Sequence, residues 1–272
     1  MGAGIAQVAA ASGFTVILND VTEEKLSSAI HHIGTDLDKA VEKKKLSFEQ
    51  AATAKSRITT STTFDAFSDC SIIIEAAVEN LEIKKDIFVK LEAVCSQATI
   101  LATNTSSLSV TAIASSIKAP ERFVGMHFFN PPHIMKLVEV IRGHKTSQHI
   151  IEQIVEISKT MGKIPVIVND TPGFIVNRIA RPFYGEALRL LGEGVTSVEE
   201  IDRIVKLEGG FKMGPFELMD LIGIDINFAV TQSMYEQTFG EQRYRPHIIQ
   251  KKMVDAGMLG KKTKRGFYRY DT

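Results

Sequence analysis

Through residue 170 the hydrophobic positions of the chain take two alternating forms. Short unbroken apolar runs are separated by longer stretches in which apolar residues recur every three or four positions. The runs at 15–19, 58–61, 71–76, 99–103, 123–126, 135–141 and 164–168 have the length and β-branched content of buried strands. Between them the spacing predicts a small-residue helix closed by Gly13 and a long helical region over 22–56, with a turn at Glu42-Lys43-Lys44-Lys45. A short helix or turn follows over 64–67. Further helices are predicted over 82–95 (apolar at Ile83, Ile87, Phe88, Leu91 and Val94), up to Ile113, and over 147–161. Strand and helix in strict alternation predict a doubly wound parallel sheet. Asn169-Asp170-Thr171-Pro172-Gly173 breaks the pattern. Beyond it only helical spacing remains, over 175–193, 198–207, 215–235 and 246–256, before a glycine- and lysine-rich tail in which Phe267, Tyr268 and Tyr270 are expected to dock the terminus. Glu199, Glu200 and Asp202 fall where acids oppose the dipole of a first helical turn. The reading is an α/β domain over 1–170 followed by an all-helical domain over 171–272.

Composition narrows the function without defining it. The 272 residues are 44% hydrophobic and 24% charged with a formal net charge of zero, which argues against a general nucleic-acid binder. Two cysteines, Cys70 and Cys95, give no disulfide framework and suit a reducing compartment. No apolar run reaches membrane-spanning length. The default expectation is a cytoplasmic protein.

The chemistry concentrates between Arg122 and Arg142, RFVGMHFFNPPHIMKLVEVIR. A buried strand ends in His127, a loop with Asn130 and two prolines follows, and the next apolar run carries one carboxylate, Glu139. Brought together, His127 and Glu139 make a base whose tautomer a carboxylate holds. Taken singly, each has a plainer reading: a strand-end histidine is commonly a satisfied structural group, and a lone glutamate a solvent-facing position. Asn104-Thr105-Ser106-Ser107 follows a strand at the end where doubly wound folds place ligands, which makes Ser106 a candidate substrate contact; a turn and helix cap is the alternative. Asn177 stands in an apolar stretch of the first helix of the second domain. Helix, strand and acid from Gly2 to Asp20 match the second half of a dinucleotide-binding unit, with Gly2 as its third glycine and Asp20 as the ribose ligand; an ordinary small-residue helix before a strand is the plainer alternative. The strand and Gly-x-Gly turn that open such a unit are absent from the sequence given. The lysines at 43–45 are either a solvated tip or a patch for an anionic substrate.

The blocks AAVENLEIKKDIF, ATNTSSLSVT, GMHFFNPPHIMKLVEVIRG, DTPGFIVNRI, GPFELMDLIG and KKTKRGFYRYD resemble those of the L-3-hydroxyacyl-CoA dehydrogenases, in length and layout the bacterial 3-hydroxybutyryl-CoA branch. The resemblance covers essentially the whole chain. It implies a Rossmann-type sheet that binds NAD, and oxidation of short-chain (S)-3-hydroxyacyl-CoA to 3-oxoacyl-CoA. In that family His127 is the base, Glu139 its partner, and Ser106 and Asn177 contact the substrate oxygen. Gly2, Asp20, Glu79, Lys84 and Asn104 lie around the cofactor, while Lys43 and Asn130 fall on the substrate side, Lys43 toward coenzyme A. The helical domain forms a homodimer. No metal is implied. Two alternatives remain open: a dehydrogenase of free hydroxy or sugar acids such as L-gulonate, and a non-catalytic, crystallin-like protein on the same scaffold.

Overall fold

The computed structural model describes residues 1–270 and divides into two compact units, Met1–Thr171 and a second beginning at Pro172. The first unit opens with α1 (Gly2–Ala11), β1 (Val16–Asn19), α2 (Glu23–Glu42), α3 (Phe48–Ser56) and β2 (Ile58–Ser61). There follow β3 (Ile72–Glu75), α4 (Leu81–Val94), β4 (Ile100–Thr103), α5 (Val110–Ala114), β5 (Phe123–Phe128), β6 (Leu137–Arg142), α6 (Gln148–Thr160) and β7 (Ile164–Asn169). A 3-10 turn at Phe64–Phe67 separates β2 from β3.

The strands form two sheets. β1 pairs parallel with β2, and β3-β4-β5-β6-β7 form a five-stranded sheet. Its pairs are parallel except β5–β6, which is antiparallel. This corrects the expectation of a wholly parallel sheet. The loop from Phe128 to Leu137 is shorter than the dozen or so residues a crossover takes, so the chain can only turn back on itself. The apolar content of β6 carries no sign of direction, because strands buried on both faces read alike.

One face of the larger sheet presents Ala102, Val124, Met126, Val138 and Val140 to Ile150, Ile151 and Ile154 of α6 and to Ile5 and Val8 of α1. On the other face Gly125 lies against α5. A Cβ there would stand 2.7 Å from Ile141 Cβ and 2.8 Å from Val110 Cγ2, so only glycine allows this approach. Helices α2 and α3 close their own small core, Ile33, Leu37, Ala51 and Ala54, on Ala6 of α1. Thr22 caps α2, and Ser47 caps α3 in a reciprocal box with Gln50.

The second unit comprises α7 (Val176–Gly192), α8 (Val198–Leu207), α9 (Pro215–Ile222), α10 (Ile224–Gln237) and α11 (Ile248–Asp255). The single helix expected over 215–235 is broken at Gly223, whose φ of 102° ends α9 and starts α10. Tyr184, Leu188, Ile201, Phe216, Met219 and Ile224 form its core. Two aspartates, each 1% exposed, anchor the tail. Asp220 accepts from the amides of Phe267 and Tyr268 and from the Tyr270 hydroxyl. Asp202 accepts from the amides of Phe216 and Glu217, at the start of α9, and from the Tyr268 hydroxyl. The docked aromatic tail matches expectation. The placing of Asp202, expected as an acid opposing the dipole of its own first turn, differs: it is buried and caps a neighbouring helix. Burial raises its carboxyl and the donated hydrogen bonds only partly offset this.

Candidate active site

The site grows from the carboxyl ends of β3, β4 and β5. Antiparallel register places His127 directly opposite Glu139. Glu139 Oε2 lies 2.8 Å from His127 Nδ1, with 1% of Glu139 and 6% of His127 exposed. A carboxylate accepts only, so Nδ1 carries the shared proton and the neutral ring keeps its lone pair on Nε2. The Phe129 ring lies 4.6 Å from the imidazole, centre to centre, and walls one side of it. The histidine is thus a base with a defined tautomer, held by a charge positioned to stabilise its protonated form.

Beside this pair the loop after β4 is gathered on one carboxylate. Glu79 Oε1 accepts from the Thr105 hydroxyl (2.7 Å), the Ser106 amide (2.8 Å) and hydroxyl (3.1 Å), and the Ser107 amide (3.0 Å) and hydroxyl (3.1 Å). Burial pushes the Glu79 carboxyl up. The Thr105 hydroxyl, the Lys84 charge and the Ser106 and Ser107 amides outweigh it, and the carboxyl sits below the usual glutamate range. Lys84 in turn is fully buried. Its Nζ lies 2.7 Å from Glu75 Oε1 and 3.5 Å from Glu79 Oε2. Glu75, the acid that ends β3, also accepts from the Thr103 hydroxyl and the Ala77 amide. Asn104 Oδ1 accepts from the Phe128 amide at 2.8 Å, tying the end of β4 to the residue after His127.

Ser106, Asn104, Glu79, His127 and Glu139 therefore belong to one constellation at one end of the sheet. Lys84 has no exposed surface, and its ammonium lies against the two glutamates. Asn130 is exposed in the loop after β5, where Lys163 Nζ braces the turn through the carbonyls of Pro132 and Met135. Lys43 is exposed at the carboxyl end of α2. Gly2 is the first residue of α1, and Asp20 follows β1 with its carboxylate half exposed, 3.7 Å from Lys25 Nζ. Asn177 lies in the first turn of α7, in the second unit, where its Oδ1 accepts from Arg181 Nη2 at 3.4 Å. The part played by Glu75 was invisible in the sequence, because its partners sit nine and twenty-eight residues away. The only local signal was an acid at the end of an apolar strand. Among the described residues no group of histidines, cysteines and carboxylates could hold a metal ion.

Residues 1–171 match the family described as 3-hydroxyacyl-CoA dehydrogenase, NAD binding domain, and residues 173–270 its C-terminal domain. The chain is 48% identical to a 3-hydroxyadipyl-CoA dehydrogenase of Escherichia coli over 98% of its length, but spans only 56% of that protein. It is 45% identical to a 3-hydroxybutyryl-CoA dehydrogenase of Clostridioides difficile, covering 100% of this chain and 96% of the relative. The crystal structure of an (S)-3-hydroxybutyryl-CoA dehydrogenase from Ralstonia eutropha superposes with a TM-score of 0.96 at 41% identity, over 100% of this chain and 96% of that one. The chain belongs to the 3-hydroxyacyl-CoA dehydrogenase family.

Proposed function

We propose that the protein interconverts short-chain (S)-3-hydroxyacyl-CoA and 3-oxoacyl-CoA thioesters with NAD as redox partner. The observation that carries this is the buried His127–Glu139 pair at the carboxyl end of β5. In the oxidising direction His127 Nε2 takes the proton of the C3 hydroxyl. Glu139 holds the ring and stabilises the imidazolium, as a carboxylate orienter does in other histidine-based sites. Ser106 hydrogen-bonds the C3 oxygen. Its hydroxyl now donates to Glu79, so turning toward substrate releases one of five donors on that carboxylate and leaves the loop held by the other four. Asn177 supplies a second donor to the same oxygen, whose charge changes during the reaction.

The residues present suit NAD. The first turn of α1 has no acidic residue and no side-chain cap, which leaves its amides to an anionic group, and Asp20 stands at the end of β1 for the ribose hydroxyls. The Asp20 carboxylate opposes the extra phosphate of NADP. NAD held there would supply the redox chemistry, taking hydride from or returning it to C3 of the acyl chain. Gly2, Glu79 and Asn104 line its side of the site, Lys43 meets the phosphates of coenzyme A, and Asn130 borders the acyl group.

A homodimer interface is inferred for the second unit, and the apolar side chains of Ile179, Ile204, Leu207, Phe211 and Phe239, each more than half exposed, support it. Two free thiols fit a cytoplasmic setting, and among the described residues no helix is long and apolar enough to cross a membrane. The test is NADH oxidation with acetoacetyl-CoA, beside L-gulonate with NAD. Turnover of the thioester and none of the sugar acid supports the proposal. Turnover of gulonate alone, or of neither by folded protein, refutes it.

A further inference from the structure

Arg181 is the least expected cation of the second unit. It is 4% exposed on α7, yet among the described residues it forms no ion pair. Its Nη1 donates to the Asn227 carbonyl (2.8 Å) and to Thr231 Oγ1 (3.1 Å) on α10, while its buried Nε has no partner. The guanidinium lies over the Tyr184 ring, 4.9 Å from its centre. Burial draws it down to about 10, with Tyr184 opposing, so it stays charged at neutral pH. A charge taken out of water is costly unless an opposite charge meets it.

Arg181 lines a cavity of about 10 Å³, room for a single occupant on the scale of one water molecule. Its walls also include Arg243, Arg245, His247 and Gln250, and no carboxylate. Arg243 is matched outside the cavity by Glu241, 3.4 Å away, which leaves Arg181 and Arg245 without a counter-charge among the described residues. His247 adds a further donor. Its Nδ1 accepts from the Ile249 amide, so the ring proton sits on Nε2, and burial with the Arg189 charge lowers its pKa and keeps it neutral. The acceptors in the wall are neutral. Thr231 Oγ1 already takes the Arg181 bond, and the Gln250 amide gives its N–H to Asn227 Oδ1.

We infer that this cavity binds a small monovalent anion of the size of chloride, held by the Arg181 guanidinium. Positive charge and N–H donors attract any anion, and the volume makes the choice among them: a phosphate or a carboxylate-bearing molecule is too large. A halide fits and accepts donors from any direction. The bound ion would tie α7 to the segment 243–247 and steady the second unit. The site lies wholly within that unit and is independent of the proposed catalysis.

The test is the thermal midpoint of the full chain as sodium chloride replaces sodium gluconate at constant ionic strength, so that general screening is unchanged. Wild type should gain about 3–5 °C for each tenfold rise in chloride above its dissociation constant. Arg181→Met should show no difference between the two salts. If that variant does not fold, Arg245→Gln, at an exposed position, takes its place and should need at least about three-fold more chloride for the same gain. Crystals grown in sodium bromide should show an anomalous peak beside the Arg181 guanidinium. Equal wild-type midpoints in chloride and gluconate would overturn the inference. So would an unchanged chloride response in the folded variant, or a cavity holding only water in bromide.

Discussion

Glu139→Gln isolates what the buried carboxylate contributes to His127. The replacement has nearly the same shape and can still hydrogen-bond, so the fold should survive. Two things are lost. The first is the charge that faces the imidazolium. Opposite charges about 4 Å apart in an environment of effective dielectric about 20 attract by about 4 kcal/mol. At 1.36 kcal/mol per tenfold, that corresponds to about 10³ in rate if all of it is realised in the transition state. The second is the tautomer: a glutamine amide can turn its N–H group to Nδ1, which moves the ring proton to Nε2 and blocks the atom that accepts the substrate proton. The expected result is a fall in kcat of about 10²- to 10³-fold with KM nearly unchanged. It is read from the rate of NAD reduction by (S)-3-hydroxybutyryl-CoA, with the thermal midpoint as control. A loss below tenfold in a folded variant would refute the reasoning, since the 2.8 Å contact would then be only structural.

Three further outcomes follow from the same site and its supports. Lys84→Met leaves the Glu75 carboxylate buried without its cation and should cost about 3–5 kcal/mol in denaturant unfolding, where a change under about 1 kcal/mol would contradict the buried pair. Glu79 has a lowered folded-state pKa, so its stabilising part is complete above the ordinary value of 4.5 and is lost as pH falls through the folded value. The stability gap between wild type and Glu79→Gln should therefore be flat at neutral pH and close only in acid; a gap that widens in acid would have the wrong sign. Asp220→Ala removes three hydrogen bonds that hold the tail and should speed trypsin cleavage at Lys264 and Arg265, which are already on the surface but fixed by the docked tail, with a loss of about 2–3 kcal/mol; unchanged cleavage would count against the anchor.

The catalytic pair was legible because both residues broke an apolar pattern, a histidine at a strand end and a glutamate inside the next run. Their direct opposition was not: the short loop after Phe128 requires the next strand to turn back, but nothing in Leu137–Arg142 sets which residue faces His127. Ser106 was visible from its place after a strand. Its clamp on Glu79 was not, because one carboxylate oxygen drew in donors that lie twenty-six to twenty-eight residues ahead. Buried ions were hardest to read. Lys84 sits among the charged residues of α4 and Asp202 among the acids of α8, where spacing gives each the look of a solvated residue. Only tertiary packing shows that Lys84 lies between two glutamates and that Asp202 caps the neighbouring helix. Gly223, by contrast, is a break that the sequence itself carries, although the apolar helical period runs on through it.

The most direct measurement of the central claim is steady-state NAD reduction by (S)-3-hydroxybutyryl-CoA with wild type and His127→Gln side by side. The geometry requires turnover by the wild type and a loss of at least about 10²-fold in the variant, the scale of general-base catalysis, with NAD affinity unaltered. A wild type that folds but does not turn over, or a variant as fast as wild type, would contradict the account.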